Sequence, residues 1–104
     1  MIKFTFKKDH GLINKVSVKG HALFGDYGSD IVCASVSTAL IVTANAMETL
    51  GYKDQFFAKV EEGNFELEVY QSDSIIQGLL SNLEYTLNEL EAQYKPYIKN
   101  QKEG

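Results

Sequence analysis

From Ile31 to Met47 the chain carries no charged side chain. Such a stretch must be covered, and its length limits what can cover it. It is shorter than the ~20 apolar residues a membrane span requires, and it includes Ser35, Ser37, Thr38, Thr43 and Asn45, so it reads as a helix inside a soluble protein with no membrane role. The β-branched Ile31, Val32, Val36, Ile41 and Val42 lower helix propensity and make a strand the rival reading. No turn signal interrupts the run for about twenty residues, which is longer than an ordinary strand. Ser29 or Asp30 can cap the start, and Gly51 stands where a residue past the helix end belongs. Apolar side chains on almost every face predict a central helix that is largely covered.

The flanking segments supply the cover. Ile2, Phe4 and Phe6 alternate with Lys3, Thr5 and Lys7, the period of a half-buried strand. Asp9-His10-Gly11 turns the chain, and Val16 and Val18 alternate with Lys15, Ser17 and Lys19, so a hairpin is expected. A second hairpin follows the helix. There Phe56, Ala58 and Val60 lead through Glu62-Gly63-Asn64 to Phe65, Leu67 and Val69. Ser72 or Asp73 then caps an amphipathic helix with Ile76, Leu79, Leu80, Leu83, Leu87, Leu90 and Tyr94 on one stripe, stopped by Pro96. The predicted order is ββαββα. The fold class is α+β: a mostly antiparallel sheet packed against a central buried helix and a peripheral C-terminal amphipathic helix. Residues 1–104 suit a single domain, with the polar segment 99–104 expected to fray.

Charge narrows the function classes. Ten lysines, no arginine and fourteen acidic residues give a net charge of −4. Arginine supplies the bidentate forks that grip phosphates and guanine edges, so its absence argues against a nucleic-acid partner. An acidic body favours a basic partner. The one cysteine cannot form an internal disulfide, and the alternating N-terminus lacks the apolar run of a secretion signal, so a cytoplasmic protein is expected.

Cys33 falls in the first turn of the predicted helix, where free backbone N–H groups and the helix dipole favour a thiolate. His21 ends the second strand, and a loop with Gly25 and Gly28 can bring the two together. A neutral imidazole there could take the thiol proton and later protonate a departing amine. The N–H groups of the helix start, including that of Cys33, are expected to hold the oxyanion. Taken alone, the spacing favours the plainer reading, Cys33 as a small core side chain and His21 as a polar strand end. No second Cys or His stands at ligand spacing, so neither a metal nor another cofactor is expected. His10, in a turn, is read as a surface residue.

Gly20-His21-Ala22, then Gly25 and Tyr27-Gly28, then Asp30 through Ser37 resemble the signature of the ribosomal-processing cysteine proteases, the Prp family. The resemblance implies a cysteine endopeptidase that removes the N-terminal extension of large-subunit ribosomal protein twenty-seven. It assigns His21 and Cys33 as the catalytic pair. Asp30 would support the helix start or orient the loop, or its charge would simply favour the helix dipole, and Ser37 would hydrogen-bond in the site or back-bond to a helix carbonyl. Leu23, Phe24, Gly25, Tyr27 and Gly28 would form a substrate lid, or a plain connector. Substrates of that family are cut after an apolar aromatic pair, and Gln55-Phe56-Phe57-Ala58-Lys59 resembles the cleaved segment, although strand alternation accounts for it. The expected partners are a ribosomal protein substrate and a second copy of the chain. The competing reading is a non-catalytic ribosome-assembly module that binds a basic ribosomal tail.

Overall fold

The computed structural model describes residues 1–26 and 28–102. Strands β1 (Ile2–Asp9) and β2 (Leu12–Lys19) precede helix α1 (Ile31–Thr49), and a single 3-10 turn, Lys53–Gln55, leads into β3 (Phe56–Glu61) and β4 (Asn64–Val69). Helix α2 (Ser74–Gln93) and a short β5 (Ile98–Asn100) complete the order. The strands form one sheet in the order β3-β4-β2-β1-β5. All pairs are antiparallel except β1 with β5.

The period-2 pattern sorts the two faces of the sheet as the sequence predicts. Phe4 stands opposite Val18 and Phe6 opposite Val16, and across the next ladder Val18 meets Phe65 and Val16 meets Leu67. All of these are buried, and both helices pack on that face. The other face carries Lys3, Thr5 and Lys7 of β1, Lys15, Ser17 and Lys19 of β2, and Glu66 and Glu68 of β4.

The α+β architecture is therefore the expected one, with three corrections. First, α1 is covered along one stripe only, Val32, Val36, Leu40, Ala44 and Met47. Its other side leaves Ile31, Ile41 and Val42 between 45% and 60% exposed, because a two-layer structure shields a helix from the sheet side alone. Helix α1 is long and apolar enough to cross a membrane by length and composition, yet its buried stripe lies in the protein core. Second, α2 seals the core as deeply as α1 does, with Ile76, Leu80, Leu83 and Leu87 all at 1% exposure or less. Third, the tail does not fray where expected. Ile98–Asn100 adds a parallel strand to β1, Ile98 is buried, and the Gln101 N–H donates to the Phe4 carbonyl at 2.7 Å. Three residues with one apolar side chain give no strand signal in sequence; the exposed edge of β1 supplies the template.

Helix starts follow the capping rule. Asp30, not Ser29, caps α1, and Asp73, not Ser72, caps α2. Of the segment Gln55–Lys59, Gln55 ends the 3-10 turn and Phe56–Lys59 begin edge strand β3, with Phe56 in the core and the strand backbone paired with β4.

Candidate active site

The site lies where β2 runs out. Gly20 has φ +101, and a β-carbon there would overlap the Met1 carbonyl, so only glycine lets the chain leave the sheet at this point. Its N–H donates to the Gly63 carbonyl at 3.0 Å, pinning the end of β2 to the tip of the β3–β4 hairpin. The next residue, His21, is exposed and lays its ring against Gly63. A β-carbon at Gly63, itself at φ +70, would come to 2.8 Å from His21 Nε2. Ala22 then turns inward and is buried, and its N–H donates to Cys33 Sγ at 3.2 Å.

Asp30 organises the far side. Its Oδ1 accepts from the N–H groups of Val32 at 2.9 Å and Cys33 at 3.0 Å, which caps α1. Its Oδ2 accepts from the N–H groups of Phe24 at 2.8 Å and Gly25 at 3.1 Å, which ties down the loop. Burial alone would raise the Asp30 carboxyl. The four backbone donors outweigh it and hold the group below its ordinary value of 3.8. Both roles the sequence offered for Asp30, helix support and loop orientation, thus belong to one carboxylate.

This cap takes up part of the expected oxyanion hole. The Cys33 N–H is committed to Asp30 Oδ1, and the Ala34 N–H donates to the Asp30 carbonyl at 3.0 Å. An effective N-cap consumes the very donors that a helix start would otherwise present. The backbone donor that faces the sulfur comes from the loop, at Ala22.

His21 and Cys33 line one cleft of about 770 Å³, together with Leu23, Gly25, Gly28, Asp30 and Ser37. Among the described residues no hydrogen bond joins the imidazole to the thiol: the ring rests on Gly63 and the sulfur on the Ala22 N–H. Ser37 stands on the cleft wall one helical turn beyond Cys33; the serine that back-bonds within α1 is Ser35, to the Ile31 carbonyl at 2.7 Å.

The lid residues divide. Leu23, in the left-handed region at φ 60 and 76% exposed, and the two glycines border the cleft. Phe24 instead packs edge-on against Tyr94 and Tyr97, with ring centroids 5.9 and 5.1 Å apart, so it anchors the loop to the segment after α2 rather than covering the cleft. Tyr27 lies outside the described residues.

The opposite wall, Val60 to Phe65 at the β3–β4 hairpin, did not emerge from sequence reasoning. The Glu62-Gly63-Asn64 turn was legible, but its place beside His21 depends on β2 pairing with β4 across the intervening helix, with Lys19 opposite Asn64. A glycine at a hairpin tip is the one local signal, and it does not name what packs on it.

A mixed sheet over two helices, with a thiol at a helix start and an imidazole on the same cleft, suits a small cysteine protease, and known proteins share the fold. The ribosomal processing protease Prp from Staphylococcus aureus, solved with a covalently linked product peptide, matches with a TM-score of 0.91 at 27% identity, covering 99% of this chain and 100% of that one. In sequence the chain is 29% identical over 99 residues to the ribosomal processing cysteine protease Prp of Staphylococcus aureus, with 88% of each chain covered. It is 27% identical over 111 residues to the protein so named in Bacillus subtilis, with 95% of each covered. The model of the family described as cysteine protease Prp matches residues 1–99. The chain belongs to this family and is a cysteine protease.

Proposed function

We propose that this protease removes the N-terminal extension of large-subunit ribosomal protein twenty-seven, with Cys33 as nucleophile and His21 as general base and acid. The observation that carries the reading is the placement of both side chains on one cleft, with the Ala22 N–H directed at the sulfur. The imidazole takes the thiol proton, and the sulfur attacks the scissile carbonyl carbon. As the C–N bond breaks, the imidazolium gives its proton to the departing amine. Water then attacks the thioester, losing a proton to His21, and releases the acid with the thiol restored. The peptide covalently linked to the Staphylococcus aureus relative is what a nucleophilic thiol would hold. Asp30 positions Cys33 and the loop, and Leu23, Gly25 and Gly28 close over the substrate. Glu61 and Glu62 on the cleft rim suit basic residues downstream of the cut.

Two copies of the chain meet, on this reading, through the open side of α1. Ile31 and Val42 are exposed there on a helix with no charge between Asp30 and Glu48, so a symmetric contact buries no unpaired ion. The protease acts in the cytoplasm, where a lone catalytic thiol stays reduced.

The test uses a peptide spanning the extension and its junction. Cys33→Ala, Cys33→Ser and His21→Ala are expected to retain the wild-type circular dichroism spectrum and to leave the peptide intact by mass spectrometry. Wild-type cleavage rates in any of them refute the catalytic assignment. Binding of the peptide by the wild type with no change in its mass selects the non-catalytic assembly module instead.

A further inference from the structure

The lysines of this acidic chain are not spread evenly. On the sheet face turned away from the helices, Lys3 stands directly opposite Lys19 and Lys7 directly opposite Lys15, while the parallel ladder sets Lys99 beside Lys3. One row of cations thus crosses β5, β1 and β2 and a second crosses β1 and β2, about 13 Å apart along the strands at the usual rise per residue. Like charges facing each other across a ladder destabilise a sheet. Lys19 is offset by Glu66 at 3.7 Å, and Glu68 of β4 borders Lys15 in the register. Among the described residues, Lys3, Lys7, Lys15 and Lys99 have no carboxylate within 4 Å. Thr5 and Ser17, paired between the two rows, bring hydroxyls to the same surface.

A sheet that keeps this repulsion on one face, in a chain of net charge −4, is built to meet a polyanion there. We infer that this face docks the phosphate backbone of structured RNA. The choice of RNA rests on the ribosomal reading above: the other constituent a ribosomal protein meets is a polyphosphate. The absence of arginine removes base readout but not phosphate contact, for which lysine serves as a point charge. The expectation that the chain avoids nucleic acid is thereby narrowed to avoidance of sequence-specific recognition. Because the cleft opens on the helix side of the same sheet, between Ile2, Val18 and α1, an RNA held on the lysine face leaves the cleft free for a peptide.

The test is fluorescence anisotropy of the full chain with a labelled RNA hairpin across a salt series. Four neutralised phosphates predict a log–log slope near −3.6, an affinity loss of about 150-fold from 50 to 200 mM salt. The variant with Lys3→Gln, Lys7→Gln, Lys15→Gln and Lys99→Gln together is expected to bind at least ~30-fold more weakly at 50 mM salt, while Lys53→Gln with Lys95→Gln changes nothing. Relief of the facing charges should hold the melting temperature of the quadruple variant at or above the wild-type value. If that variant fails to fold, Lys7→Gln alone should reduce the slope by about one. No RNA binding at 50 mM salt, an unchanged slope in the lysine variants, or equal affinity for polyglutamate of matched charge would each overturn the proposal. Cleavage of a short peptide is measured separately. RNA binding without peptide cleavage sinks the catalytic reading and spares the docking face; cleavage with no RNA binding does the reverse.

Discussion

Gly63→Ala separates the two functions that one glycine serves. The backbone there has φ +70, and an added methyl would lie 2.8 Å from His21 Nε2. The backbone cost alone is about 1 kcal/mol for an L-residue in the left-handed region, a fall of roughly 4–8 °C in melting temperature for a domain of this size. The steric cost falls on His21. Ordinary contact begins near 3.4 Å, so the ring must retreat by about 0.6 Å. A 1 Å misplacement of a catalytic group can cost ~100-fold, so a loss of about 10-fold in kcat/KM is expected. Gly11→Ala is the matched control, because Gly11 has φ +79 and nothing within 4 Å of the added carbon. It should show the same loss of stability, read by urea unfolding, with kcat/KM unchanged on a fluorogenic peptide. If Gly63→Ala cleaves as fast as Gly11→Ala, the hairpin tip does not position the imidazole and the reasoning fails.

Other consequences are open to measurement. Leu80→Ala empties a fully buried site between α2 and the sheet and should cost about 2–5 kcal/mol by chemical unfolding. Truncation after Tyr97 removes β5 and the buried Ile98; exposure of that side chain alone costs about 1.5–3 kcal/mol, so a marked drop in melting temperature is expected where a frayed tail would show none. The Asp30 and Asp73 carboxyls titrate lower in the folded protein than in the unfolded chain, so their contribution to stability is full above the ordinary carboxylate value of 3.8 and is lost as pH falls through the folded values. Asp30→Asn should accordingly flatten the acid limb of the stability–pH curve, and an unaltered limb counts against the carboxylate's role. Because the resting imidazole is not hydrogen-bonded to the thiol, His21→Ala should change the rate of Cys33 alkylation by iodoacetamide less than about 3-fold, while peptide cleavage falls by at least ~100-fold.

What was legible in the sequence followed from periodicity and capping. Ile2, Phe4 and Phe6 against Lys3, Thr5 and Lys7 define a strand and its buried face without further help, and the stripe from Ile76 to Leu90 does the same for α2. The positions of Cys33 and His21 at a helix start and a strand end were equally local. What was hidden depends on long-range pairing. Strand β5 exists because β1 offers an unpaired edge, and nothing in Ile98-Lys99-Asn100 announces it. The hairpin tip reaches His21 because β4 pairs with β2, out of chain order. The open side of α1 was misjudged because an uncharged helix reads alike whether it is covered by its own fold or left as a surface. The lysine rows were equally invisible: each lysine looks like an ordinary outward strand residue until the register sets two of them face to face.

The site is held together around Asp30 and not by a contact between His21 and Cys33. One carboxylate fixes the helix start that carries Cys33 and, two ångström-scale contacts away, the loop that carries the Ala22 N–H. That economy has a consequence for the reaction. With the Val32, Cys33 and Ala34 N–H groups all committed, charge that develops on a scissile carbonyl must be met by other donors. The Ala22 N–H already faces the sulfur, and the loop beyond it is tied at Phe24 and Gly25 to Asp30 and, through the Phe24 ring, to Tyr94 and Tyr97. The two side chains proposed to react are thus held by separate supports, the sulfur by the Ala22 N–H and the imidazole by the hairpin tip at Gly63.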